Sequence, residues 1–246
     1  MNMKKIPDWI LKDPIAHRGL HSGDERIPEN SLSAFKEAAL KGFPIELDIH
    51  LLKDKQVVVF HDDDLNRVCG VDIEISTLTS SELQAHRLFT SGEKIPLLKE
   101  VLEVVDGRVP LLIELKDSKL NKGIHEPLMT LLNAYEGKFA IQSFDPSLVE
   151  WFVLNEPHIL RGQLSGSYED DELDAALKHA YRNYNFNHLS KPDFIAHEVE
   201  DLAQNAQILK FKAREIPILA WTVRSHMQAK EASAFCDNII FEGFLP

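Results

Sequence analysis

Cysteine is scarce in this chain: Cys69 and Cys236 are the only two among 246 residues. Two thiols are too few for a disulfide framework, and they lack the spacing of a zinc site. The reducing cytoplasm is the simplest expected location. Basic charge is short as well, with 27 Lys and Arg against 39 Asp and Glu and a formal net charge of -12. That balance argues against a protein that coats nucleic acid or an anionic membrane, because both require a basic footprint. A small-molecule substrate fits better, and an anionic one would have to be drawn in by local positive charge or a bound divalent cation. Long apolar runs are missing too, so no segment is expected to insert stably in a bilayer. The N-terminus scatters Lys4, Lys5, Asp8, Lys12 and Asp13 among its apolar residues and lacks the continuous core of a signal peptide. There is no low-complexity tract, internal repeat or linker, so residues 1–246 are expected to form a single domain. No pattern fixes an oligomeric state.

What the chain does have is a 44% hydrophobic composition, enough for a substantial core, arranged as short apolar runs that alternate with helical patterns. Such alternation is the signature of βα units around a parallel sheet. Strands are predicted at Pro14–His17, Ile45–Ile49, Val57–His61, Leu111–Leu115, Phe139–Gln142, Leu160–Gln163, Phe194–Ala196, Ile218–Val223 and Asn238–Phe241. The link between the second and third is too short for a helical crossover and holds Asp54-Lys55 like a turn, so these two should pair as an antiparallel hairpin. Setting the hairpin arm aside leaves eight strands, which predicts a (β/α)8 barrel, with a doubly wound sheet as the alternative. Asn30-Ser31 opens an apolar stripe of Leu32, Phe35 and Ala39 that ends before Gly42. Thr79 with Glu82 reads as a capping box, and Asp145-Pro146 as a helix start. Alternation breaks between Leu65 and Ile95, so an insertion is expected at about 56–95, after the second strand and packed over one end of the barrel.

Barrel chemistry is done where strands end, and several strand ends here are polar. His17 and Arg18 close the first strand, Glu46 and Asp48 lie in the second, Glu114 and Lys116 close the third parallel strand, and Gln142 closes the fourth. Residues two apart on a strand share a face, so Glu46 projects with Asp48 and Glu114 with Lys116. Converging carboxylates need something cationic between them. A hard cation such as Ca²⁺ or Mg²⁺ suits an all-oxygen set, and a salt-bridge network with Lys116 and Arg18 would serve equally well. Most of the eleven histidines, among them His21, His50 and His197, read as surface or packing residues. His17 and His61 differ: each ends an apolar strand and is followed by a residue that could anchor an anion or orient the ring. Such a pair can exchange acid and base roles near neutral pH.

The ordered series His17-Arg18-Gly19, Pro28-Glu29-Asn30-Ser31, Ala34-Phe35, Glu46-Leu47-Asp48, Lys53-Asp54 and His61-Asp62 resembles the motifs of the glycerophosphodiester phosphodiesterase family, its small bacterial members above all. Ile95-Pro96-Leu97, Glu114-Leu115-Lys116, Ser143-Phe144 and Trp221-Thr222-Val223 follow in the family's order, so the resemblance covers essentially the whole chain. It implies a barrel with an insertion after the second strand that cleaves glycerophosphodiesters to glycerol 3-phosphate and an alcohol with a divalent metal, Ca²⁺ or Mg²⁺. By the same resemblance, His17 and His61 are the acid/base pair, Glu46, Asp48 and Glu114 the metal ligands, and Arg18 and Lys116 the phosphate holders. Asn30, most simply a helix cap, and Trp221, most simply packing, are supporting candidates. The chain departs from the family at Asp54-Lys55, where Asp-Gly is usual, at Arg224 in place of an asparagine, and at Phe241-Glu242-Gly243, where a Thr-Asp-x-Pro-like motif is usual.

Two other readings compete. A phospholipase D-like or C-like enzyme acting on lysolipids would use similar residues and present an exposed apolar rim, for which Leu83, Leu88 and Phe89 are candidates, although they fit a helix core face equally well. A barrel that only binds phosphorylated ligands would have no need of the histidine pair.

Overall fold

The computed structural model describes residues 4–22, 26–116, 121–169 and 173–246. Along the chain these form α1 (Asp8–Leu11), β1 (Ile15–Ala16), α2 (Leu32–Lys41), β2 (Ile45–Leu51), β3 (Val57–Val59), α3 (Asn66–Cys69), α4 (Ser80–Leu83), α5 (Leu98–Val105), β4 (Leu111–Leu115) and α6 (His125–Leu132). There follow β5 (Phe139–Ser143), α7 (Pro146–Asn155), β6 (Arg161–Ser165), α8 (Ala175–Arg182), α9 (Asn187–Ser190), β7 (Phe194–Glu198), α10 (Val199–Leu202), α11 (Ala206–Ala213), β8 (Ile218–Val223), α12 (His226–Ala232) and β9 (Asn238–Phe241). All nine predicted strands are present, and the fold is a (β/α)8 barrel carrying β3 as an antiparallel arm. The chain divides into two compact units, Ala16–Phe139 and Met1–Ile15 with Ala140–Pro246.

In the unit of residues 16–139, β2 is the central strand and every one of its seven residues is buried. It pairs in parallel with β1 through Ala16 and Ile45, and with β4 from Ile45 opposite Leu111 to Ile49 opposite Leu115. The hairpin forms as expected, with Ile49 opposite Val59 and Leu51 opposite Val57, and Lys55 in its turn takes φ 65°. Helix α2 is capped by the Ser31 side chain, which accepts from the Ala34 N–H, and is stopped by Gly42 at φ 78°. The Thr79–Glu82 capping box opens α4. The insertion wraps Leu65, Val68, Ile75, Leu78, Leu83, Leu88 and Ile95 around Leu52, Val58 and Phe60 of the hairpin. Leu83 and Leu88 are therefore core residues rather than an exposed rim, and Phe89 is partly buried against the same cluster.

In the other unit β5 through β9 pair in parallel, each with the next. Asp145 caps α7 by accepting from the Ser147 N–H, with Pro146 at the first helical position. Helices α10, α11 and α12 cover β7 and β8 over a core that includes Ile195, Leu202, Ile208, Phe211, Ile218 and Val223. Asn238 at the start of β9 ties down the N-terminal helix by donating to the carbonyls of Trp9, Ile10 and Asp13.

Candidate active site

The strand ends of the 16–139 unit carry almost all of the expected residues. Parallel pairing sets Asp48 of β2 opposite Glu114 of β4, and Glu46 lies two residues before Asp48 on the same face. Side-chain oxygens of Glu46, Asp48 and Glu114 consequently lie within 4.8 Å of one another, all three residues buried. Beyond β1 the chain turns sharply through Arg18 at φ 53° and Gly19 at φ 80°. This directs the Arg18 backbone N–H onto Glu46 Oε2 at 3.0 Å. His17 follows β1 directly and is half-buried.

Asn30 is not the cap of α2, because Ser31 fills that role. Held at φ 53° and fully buried, Asn30 instead donates from Nδ2 to Asp48 Oδ2 at 2.9 Å. The short amide is spent on fixing a carboxylate, so the capping interpretation is corrected in favour of support for the acidic cluster.

The expected salt bridges exist. Arg18 Nη1 donates to Glu29 Oε1 at 2.7 Å, and its Nε lies 3.5 Å from Asp48 Oδ2 without the geometry of a hydrogen bond. Lys116 Nζ donates to Glu114 Oε1 at 2.7 Å and lies 3.4 Å from Asp48 Oδ1. Burial would raise the Asp48 pKa, but Lys116 and the other nearby positive charges outweigh it and hold the carboxyl far below the usual range. Glu46 fares differently: burial, then the charges of Asp48 and Glu114, push its carboxyl well above the usual range. Its Oε1 has no hydrogen-bond partner among the described residues, and neither does Asn30 Oδ1. Salt bridges alone thus leave this cluster short of positive charge. A buried, unsatisfied, all-oxygen donor set fits a hard divalent cation.

His61 lies just past β3, its Nδ1 2.6 Å from Asp62 Oδ1. A carboxylate only accepts, so Nδ1 carries the proton and, in the neutral ring, Nε2 is the acceptor nitrogen. Two residues passed over in the sequence hold this region from behind. His50 Nε2 donates to the His61 carbonyl at 3.2 Å, and burial pushes the His50 imidazole down to about 4. Asn121 donates to the Lys116 carbonyl at 2.5 Å and accepts from the Leu51 N–H at 2.8 Å. Arg67 in the insertion, also unforeseen, pairs with both Glu29 and Asp62 at 2.7 Å.

Trp221 lies on β8 in the other unit, its ring perpendicular to that of Phe144 at 5.5 Å between centroids. The two departures near the C-terminus meet there: Arg224 Nε donates to Glu242 Oε1 at 2.7 Å.

Residues 17–242 match the profile of the glycerophosphoryl diester phosphodiesterase family. A glycerophosphodiester phosphodiesterase of Bacillus altitudinis is 35% identical over 156 residues, 58% of this chain and 62% of that protein. One of Caldanaerobacter subterraneus is 35% identical over 161 residues, 61% of this chain and 65% of that protein. The chain thus spans somewhat less than two thirds of these curated relatives. A human lysophospholipase D is 38% identical over 120 residues, 44% of this chain and 37% of that protein. Among solved structures, a glycerophosphodiester phosphodiesterase of Thermotoga maritima superposes with a TM-score of 0.69 at 25% identity, covering 93% of this chain and 94% of that one. A phosphodiesterase of Oleispira antarctica in complex with the product sn-glycerol-3-phosphate has a TM-score of 0.75 at 24% identity, covering 94% and 93%.

Proposed function

The chain belongs to the glycerophosphoryl diester phosphodiesterase family, and from that premise we propose that it hydrolyses glycerophosphodiesters to glycerol 3-phosphate and an alcohol. The observation that carries this reading is the buried triad of Glu46, Asp48 and Glu114 with its unsatisfied oxygen, set in one network with Arg18 and Lys116. These three carboxylates would hold a divalent cation, Ca²⁺ or Mg²⁺, which when bound offsets negative charge on the phosphoryl oxygens. Arg18 and Lys116 hold phosphate oxygens; the free Arg18 Nε is a donor available for that purpose. His61, its Nδ1 proton fixed by Asp62, exchanges a proton through Nε2. One of His61 and His17 takes the proton of the attacking hydroxyl, and the other protonates the departing alkoxide. Asn30 keeps Asp48 in place.

The protein acts as one catalytic domain with an insertion at about 56–95, and its two unpaired cysteines suit a cytoplasmic enzyme of glycerol and lipid metabolism. No helix among the described residues is long and apolar enough to cross a membrane. Lysophospholipids are a second substrate class, favoured by the likeness to the human lysophospholipase D. The test is release of glycerol 3-phosphate from glycerophosphocholine and of choline from lysophosphatidylcholine. His17→Ala and His61→Ala should each lower kcat by about 10²–10⁴-fold while leaving the circular dichroism spectrum unchanged. Full activity in either variant would remove that histidine from the mechanism.

A further inference from the structure

We propose that Arg67, on α3 of the insertion, is a positioning residue that couples the orientation of His61 to the charge of Arg18; the inference rests on the roles given to those two residues above. One guanidinium grips two carboxylates. Arg67 Nε donates to Asp62 Oδ2 at 2.7 Å and Nη2 to Asp62 Oδ1 at 3.0 Å, while Nη1 donates to Glu29 Oε2 at 3.1 Å and Nη2 to Glu29 Oε1 at 2.7 Å. Each carboxylate has a second customer in the site. Asp62 Oδ1 receives His61 Nδ1 at 2.6 Å, and Glu29 Oε1 receives Arg18 Nη1 at 2.7 Å. The result is an unbroken chain, His61–Asp62–Arg67–Glu29–Arg18.

Two consequences follow from the geometry. Asp62 is one residue from His61 and could rotate away from it; the bidentate fork fixes the carboxylate plane and with it the imidazole. Glu29, meanwhile, divides its charge between two guanidinium groups, so Arg18 keeps positive charge for a substrate anion. Four of the five N–H donors that a guanidinium carries are engaged, which makes Arg67 a scaffold rather than a phosphate ligand. Its place is set by the insertion: Val68 beside it is buried in the insertion core, and the guanidinium lies 5.9 Å from the centroid of the Phe89 ring. Lysine, a point charge without the planar fork, cannot make the same four bonds.

The experiment combines kinetics on glycerophosphocholine with nitrogen-15 NMR of the His61 ring in wild type, Arg67→Ala, Arg67→Lys and Arg67→Ala/Glu29→Gln. Arg67→Ala should lower kcat by roughly 10–100-fold and raise KM, with Arg67→Lys between it and wild type. Adding Glu29→Gln should return KM toward wild type, since the carboxylate left competing for Arg18 loses its charge, while kcat stays low. In the NMR spectra the wild-type His61 should be fixed as the Nδ1–H tautomer and Arg67→Ala should show both tautomers. A scaffold that merely supported the insertion would lower stability without moving the tautomer or splitting KM from kcat. An unchanged His61 tautomer in Arg67→Ala overturns the proposal even in the absence of turnover. Wild type that fails to hydrolyse glycerophosphocholine, with the tautomer shift intact, would instead overturn the substrate reading.

Discussion

Glu46 is where the cost of assembling three buried carboxylates concentrates. Burial and two negative neighbours push its carboxyl well above the usual range, so without a cation the charged form is penalised relative to the neutral one. Glutamine there imitates that neutral form but offers a poor ligand. Glu46→Gln should therefore leave the cation-free protein at least as stable as wild type while abolishing stabilisation by Ca²⁺ or Mg²⁺. In wild type that stabilisation should reach about 2.7 kcal/mol at a hundredfold excess over Kd, read as a rise in Tm by scanning calorimetry. An equal rise in the variant would place the cation elsewhere. At this scale the sequence was legible where roles follow from residue type and alternation: Glu46 with Asp48, and Glu114 with Lys116, share faces as their spacing requires. For Asn30 only the cap reading fails, since Ser31 fills that role; its place as a supporting residue rests on the fold, which brings Asp48 within its reach.

Single elements deliver these residues, and β1 does so by being short. Beyond its end at Ala16 the chain runs hard against α2 at Gly19, φ 80°; a Cβ on Gly19 would lie 2.9 Å from Ala34 Cβ and 3.0 Å from Phe35 Cδ1. Gly19→Ala should cost about 2–5 kcal/mol from the left-handed backbone and overpacking together, measured by urea denaturation, and should lower activity by displacing His17 and Arg18. In the other unit, β7 is fastened to α10 by a buried network. Tyr184 donates its hydroxyl proton to His197 Nδ1 at 2.7 Å, and His197 Nε2 and Arg182 Nη2 donate to Asp201 at 3.0 and 2.5 Å. Burial would raise the Asp201 pKa, but the hydrogen bonds from His197 and Arg182 outweigh it and hold the carboxyl well below the usual range. The folded protein thus binds this proton more weakly than the unfolded chain does. The stabilisation is complete above about pH 4 and is lost as pH falls further toward the folded value. Asp201→Ala should cost on the order of 3 kcal/mol at neutral pH, with the gap to wild type narrowing below pH 4 in denaturation curves; a gap independent of pH would contradict the assignment. His197, grouped by sequence with packing histidines, is one of this network's members. The strands and the capped helices were legible because each rests on local apolar runs and turn chemistry.

Across the whole molecule, what escaped the sequence is what depends on contacts between distant segments. The chain from His61 through Arg67 to Arg18 joins the end of β3, the insertion and the segment before α2. The bond from Asn121 to Leu51 spans 70 residues. No periodicity or local spacing encodes such pairings, whereas the ordered motifs on β1, β2, β3 and β4 do encode the site's constituents. The departures at Arg224 and Glu242, unrelated when read along the chain, are partners in space. Charge is the property that unites the account. Glu29, Glu46, Asp48, Asp62 and Glu114 face Arg18, Arg67 and Lys116 in one network, and under the proposed function a divalent cation would make up the difference. The most direct measurement is the rate of glycerol 3-phosphate release from glycerophosphocholine by the purified protein after treatment with a chelator, and again after adding back Ca²⁺ or Mg²⁺. The account predicts no turnover in chelator and full recovery on addition of one of the two cations, with no recovery in Glu46→Gln. Undiminished hydrolysis in chelator, or equal recovery in Glu46→Gln, would contradict it.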